Sequence, residues 1–164
     1  MSTGLPQPVA LLFGLLAGAP PPVSPSEAAW DEIGVYALAT GLAPLLNRNA
    51  GPYLPPMFAA RMRLAGRRTA TRNEALLGAL AGVLAGCKTA GLPVIVLKGA
   101  YLAPAIYRDL SLRGMSDIDI LVHPRDLDAF RTLLESLGYT GKHTDPDTGP
   151  GIVKHEWTYK REDA

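Results

Sequence analysis

The chain has a single cysteine in its 164 residues, Cys87. One thiol cannot close an internal disulfide, and no Cys or His stands near it at metal-ligand spacing. A disulfide framework and a zinc finger are therefore excluded, a reducing compartment is expected, and Cys87 reads as a core thiol. Charge of one sign is lacking too: 16 Lys and Arg face 15 Asp and Glu, for a formal net charge of +1. No global field recommends a nucleic acid or an anionic membrane as partner. The apolar run "VALLFGLLAGAP" (residues 9–20) is too short to span a bilayer, and no Lys or Arg precedes it as a secretion signal would require. It is expected as a short amphipathic or buried helix in a cytoplasmic protein with no membrane partner. Neither G-x-x-x-x-G-K-[ST] nor G-x-G-x-x-G occurs, which removes P-loop kinases and Rossmann dehydrogenases. His123, His143 and His155 are too widely spaced for order alone to suggest a hydrolytic triad.

What is present supports a globular chain. With 48% hydrophobic and 19% charged residues, there is enough for one domain with a real core, or for a small domain with a helical appendage. Charge divides mildly along the chain. Residues 1–90 hold seven basic and four acidic residues, and 91–164 hold nine and eleven.

Prolines in "APPPVSP" (residues 19–25) forbid helix and mark a hinge. Ser26 is a plausible N-cap for a helix through residues 27–49, where Trp30, Ile33, Leu38, Leu42 and Leu45 fall near helical spacing. Gly51, Pro52, Pro55 and Pro56 make the next turn. Residues 57–90, free of proline, predict one long or once-broken helix stopped by Gly91 and Pro93. Within it, Arg61, Arg68 and Arg72 would share one face, as a phosphate-binding surface or as an ordinary solvated side.

The periodicity then changes. "VIVLKG" (94–99) predicts a short buried strand ending in glycine, residues 100–110 a short helix with a proline inside, and "SDIDILV" (116–122) a second strand. A well-patterned helix follows, with Leu127, Phe130, Leu133, Leu134 and Leu137 on its apolar face and Gly138 as its stop. A polar loop (142–151) leads to "IVKHEWTYKRE" (152–162), expected as a third strand near the end of the chain with no neighbour left to pair with. The expected class is α+β: a helical region over 1–90, then a small mixed β-sheet with flanking helices over 91–164.

On a strand, residues i and i+2 point the same way, so Asp117 and Asp119 would project together. Two carboxylates that close repel unless a cation lies between them, and oxygen-only ligands suit Mg²⁺. The plainer alternative has Asp117 capping a turn and Asp119 facing solvent at a sheet rim. A bare D-x-D decides nothing alone, but Lys98 and Gly99 stand at the exit of the upstream strand and Ser116 directly precedes the pair.

This pattern resembles the nucleotidyltransferase superfamily of the DNA polymerase β type: a strand ending in a glycine motif, a helix, then D-x-D on the next strand. "VIVLKGAYLAPAIYRDLSLRGMSDIDILVHPRDLDAFRTLLESLGY" is more closely similar to an uncharacterised bacterial nucleotidyltransferase-like family with an L-K-G start, an R-x-x-x-D-I-D-I-L-V centre and an L-x-x-x-G-Y end. The similarity is strong over residues 92–139 and looser on either side. It implies that Asp117 and Asp119 are a catalytic, Mg²⁺-binding pair, and that Gly99 lets the backbone approach a triphosphate. It also implies that Lys98 and Arg113 neutralise phosphate charge, and that Ser116 contacts phosphate or merely starts the strand. Lys98 has an alternative as a structural ion-pair partner of an aspartate. Gly99 is followed by Ala100 where the wider superfamily has serine. The family's third carboxylate is expected beyond Ala164, on a further strand, which would make the chain a truncated gene product or a fragment, with Glu156, Glu162 and Asp163 as the alternatives within it.

The implied activity is transfer of a nucleoside monophosphate from a nucleoside triphosphate, ATP by default, to a hydroxyl acceptor of unknown identity. A catalytically weak nucleotide-binding module is the main rival. Nucleic-acid binding through the arginine face is the lesser one, because no aromatics interleave with those arginines. An exposed sheet edge at residues 152–161 would favour a homodimer.

Overall fold

The computed structural model describes residues 6–142 and 157–162. The chain is mostly helical and belongs to the α+β class. Its strands form two separate two-stranded sheets rather than one mixed sheet. Two compact units interleave along the sequence: residues 1–78 with 96–119, and residues 79–95 with 120–164.

The first unit is helical. α1 (Gln7–Leu16) buries Leu12 and Leu15 and exposes Phe13, the amphipathic helix expected of the first apolar run. The Asn49 side chain donates to the Leu16 carbonyl at 2.6 Å, satisfying one of the acceptors that a helix end leaves open. α2 (Glu27–Ala39) begins at Ser26, whose hydroxyl accepts from the Ala29 N–H at 3.3 Å, as the cap pattern predicts. The helix expected to run on through residue 49 is broken. Gly41 takes φ +71°, which stops α2, and Pro44 restarts the chain as α3 (Ala43–Ala50). After a 3₁₀ turn (Gly51–Tyr53), α4 (Pro56–Ala90) is one unbroken helix of 35 residues. Its first turns join Leu15, Ile33, Leu46 and Met62 in a core sealed by a tilted Trp30–Phe58 ring pair 5.1 Å apart.

The second unit gathers around the end of α4. Val83 and Cys87 pack against Phe130 and Leu134 of α6 (Leu127–Ser136), with Leu133 and Leu137 beside them, so the apolar face read from sequence is the one buried. Gly91, at φ +67°, closes α4 and lets Leu92 N–H reach back to the Cys87 carbonyl at 2.9 Å. β1 (Val94–Val96) pairs with β2 (Ile120–Val122). Both strands are shorter than predicted, and neither is buried on both faces: Ile95 is 59% and Leu121 53% exposed.

The third strand is β4 (Thr158–Lys160), and it does have a neighbour. It pairs antiparallel with β3 (Thr140–Lys142), opposing Gly141 to Tyr159. β3 escaped the sequence reading because Thr140, Gly141 and Lys142 carry no apolar alternation. Residues 143–156, with His143, His155 and Glu156, lie outside the described residues, as does Asp163. Among the described residues, no helix is long and apolar enough to cross a membrane.

Candidate active site

The site residues all fall in the first compact unit, on two segments bridged by a bond from the Leu97 N–H to the Asp119 carbonyl. The first is the step from β1 into α5 (Lys98–Leu102), which continues as a π-helical turn (Ala103–Tyr107) around Pro104. Lys98 and Gly99 thus open a helix instead of ending a strand. Lys98 carries the positive φ, at +47°, in the left-handed region that costs a side-chain-bearing residue about 1–2 kcal/mol. Gly99 does not. What forbids a side chain at 99 is Met115: a Cβ there would lie 2.8 Å from its Cγ. The glycine expected for approach to a triphosphate is thus already required by packing.

The second segment is the loop from Arg108 to Asp119. Arg108, with φ +55°, turns the chain out of the π turn. Asp109 then folds the loop on itself, its Oδ1 accepting from the Ser111 N–H at 2.8 Å and from the Ser111 hydroxyl at 2.7 Å. These two bonds, with a smaller contribution from the Arg48 charge, hold the Asp109 carboxyl below its ordinary range against slight desolvation.

From α4, Asn73 grips the same loop. Its Nδ2 donates to the Leu110 carbonyl at 2.8 Å and the Arg113 carbonyl at 2.7 Å, and its Oδ1 accepts from the Met115 N–H at 3.2 Å. Asn73 is completely buried, and among the described residues it stands alone as a buried polar side chain. Leu112 and Met115 bury their side chains beside it. Sequence reading passed over Asn73. An asparagine inside an arginine-rich helix looks like a surface position, and its partners lie 37 to 42 residues away.

Past this anchor the chain emerges. Ser116 donates to Asp117 Oδ1 at 3.2 Å, and both residues are exposed. The strand starts only at Ile120, so Asp117 lies in a bend and the expected in-strand alignment of the two aspartates does not apply. Asp119 sits just before β2. Its carbonyl accepts from the Leu97 N–H at 2.9 Å, and its carboxylate takes the Lys98 Nζ at 2.8 Å. The ion pair foreseen as one role of Lys98 is therefore formed, with the lysine 70% and the aspartate 23% exposed. The Arg113 guanidinium turns back on its own loop and donates to the Gly114 carbonyl at 2.9 Å.

Among the described residues no three His, Cys, Asp or Glu side chains cluster as a metal cage. The oxygen donors at hand are the two aspartates. Glu162 is described, in the other compact unit.

A helix-supported loop thus presents D-x-D beside the L-K-G turn, the two motifs through which the chain resembles nucleotidyltransferases. Residues 26–164 match the model of a family described as uncharacterised nucleotidyltransferase. The chain belongs to that family, whose name denotes transfer of nucleotidyl groups. No curated protein and no solved structure matches it.

Proposed function

We propose that the protein transfers a nucleoside monophosphate from a nucleoside triphosphate, ATP by default, to a hydroxyl acceptor, with Mg²⁺ as cofactor. The observation that carries this reading is the Lys98–Asp119 pair. A solvent-exposed ion pair adds at most about 1 kcal/mol to stability, yet here it joins the two motif segments and keeps a cation and a carboxylate at one exposed place. Both charges are available for exchange. An arriving triphosphate offers Lys98 a richer anionic partner, and the transfer of Lys98 to phosphate oxygen releases Asp119.

The donor set fits the ion. Asp117 and Asp119 are water-accessible carboxylates from a short segment, and Mg²⁺ commonly binds through one or two carboxylates plus substrate phosphates and waters. Held by these two aspartates, Mg²⁺ would supply charge neutralisation and polarisation of the phosphate. The chain's own groups do the rest. Lys98 offsets charge on the phosphates, Arg113 exchanges its bond to Gly114 for one to the leaving pyrophosphate, and the Ser116 hydroxyl donates to a phosphate oxygen. Asn73 keeps the loop beneath them from moving. The acceptor oxygen forms a bond to the α-phosphorus as the bond from that phosphorus to the bridging oxygen breaks; pyrophosphate leaves, and the hydroxyl proton passes to solvent.

Titration calorimetry with ATP and Mg²⁺, run beside a pyrophosphate-release assay, tests the proposal. Binding by the wild type that disappears in the Asp117→Asn, Asp119→Asn double variant is expected. Lys98→Gly should weaken binding about tenfold, a loss of about 1.4 kcal/mol, while folding stability stays within about 1 kcal/mol because the lost pair is exposed and the strained φ is relieved. Equal binding by the double variant refutes the site. Binding without pyrophosphate release, whatever hydroxyl compound is supplied, assigns a nucleotide-binding module instead.

A further inference from the structure

The first compact unit also contains a cleft of about 270 Å³, formed where α3 and α4 meet the loop at Ser111. Its floor is apolar, made by Pro44, Met62 and Gly66, of which Met62 is completely buried. Its rim is cationic. Arg63 and Arg67 both line it, four residues apart on α4, so their side chains rise from the same face of the helix. Sequence periodicity had grouped Arg61, Arg68 and Arg72 instead; the cleft takes the two arginines left out of that face.

Among the described residues, neither Arg63 nor Arg67 forms an ion pair. Two guanidinium groups one helical turn apart repel each other, and an oxyanion between them removes the repulsion while matching their planar donor geometry. The carboxylate near this wall is Asp109, which is bonded to Ser111 and feels the charge of Arg48. The cleft lining itself therefore carries two positive charges and no acidic residue.

The volume falls just below the range of most small-molecule sites, about 300–1,000 Å³. It suits a compact molecule rather than a nucleoside triphosphate.

We propose that this cleft binds a small phosphomonoester, with the phosphate between Arg63 and Arg67 and the carbon body over Pro44, Met62 and Gly66. The site is separate from the D-x-D carboxylates and does not depend on the nucleotidyl-transfer reading.

Glycerol 3-phosphate is the probe, followed by calorimetry on the full chain without Mg²⁺ and without nucleotide, with glycerol and inorganic phosphate as controls. Two variants separate binding from folding. Arg63→Gln with Arg67→Gln removes the charge at exposed positions. Gly66→Ala adds a methyl 3.5 Å from Pro44 Cβ and 3.7 Å from Ser111 Cβ, ordinary contact distances that narrow the cleft without a clash, and alanine is the better helix former. Wild-type binding of glycerol 3-phosphate is expected to fall about tenfold or more in each variant, to exceed that of inorganic phosphate, and to survive Asp117→Asn with Asp119→Asn, while glycerol does not bind. No binding at about 10 mM probe, binding unchanged by the arginine variant, inorganic phosphate binding as tightly as the ester, or loss of binding in the aspartate variant would each overturn the proposal.

Discussion

Replacing Asn73 with alanine tests the claim that the D-x-D loop is anchored from α4. Three hydrogen bonds disappear. The Leu110 and Arg113 carbonyls are part-buried, so water replaces some of what is lost, and each bond is worth about 1 kcal/mol. The Met115 N–H lies in a buried bond and is orphaned, at about 1–3 kcal/mol. The total is about 3–5 kcal/mol, corresponding to about 6–20 °C in Tm for a chain of this length. Urea unfolding measures it. Trp30 fluorescence in a Trp157→Phe background reports the first unit, because Trp30 packs against Phe58 in that core. Asn73→Asp sharpens the test: it keeps the acceptor for Met115 but turns a carboxylate oxygen toward two carbonyls, so it should cost at least as much as alanine at neutral pH. A loss below about 1 kcal/mol for alanine, or an aspartate variant as stable as the wild type, would show that the loop holds its shape without this side chain.

Two further predictions concern packing and titration. Gly99→Ala should destabilise by about 1–2 kcal/mol by pushing on Met115, and this cost should vanish in a Met115→Ala background; an equal cost in both backgrounds would show that Met115 is not what excludes a side chain there. Burial raises the Cys87 thiol above its ordinary 9.0, a bond to its own backbone opposing the shift only in part. A pKa raised in the folded state contributes stability that is complete below the unfolded value and is lost as pH rises through the folded one. Urea stability should therefore fall as pH climbs above 9.0, where unfolding frees the thiol to ionise. Cys87→Ala, although less stable overall, should show a shallower decline; an identical slope would refute the assignment. Tyr159, also raised by burial, acts in the window above its ordinary 10.0 and is removed by Tyr159→Phe.

Local chemistry made much of this protein legible before its fold was known. The Ser26 cap, the stop at Gly91 and the apolar face of α6 each depend on residues within a turn or two of one another, so sequence spacing carries them. The L-K-G and D-I-D-I-L-V motifs likewise sit on short contiguous segments, and the family they indicate is the one to which residues 26–164 belong. The breaks were harder to see. The end of α2 depends on whether Gly41 takes a positive φ, and the pairing of β3 with β4 on residues some twenty apart that carry no alternation.

Long-range contact alone decided how the candidate site is held. Nothing in the spacing of Asn73 announces a buried clasp on a loop about forty residues downstream, and nothing in L-K-G says that Lys98, not Gly99, takes the left-handed backbone. The D-x-D motif suggested two aligned carboxylates on a strand. Tertiary structure instead put Asp117 in a bend and tied Asp119 to Lys98, because hydrogen bonds and ion pairs follow distance in space while sequence records only distance along the chain.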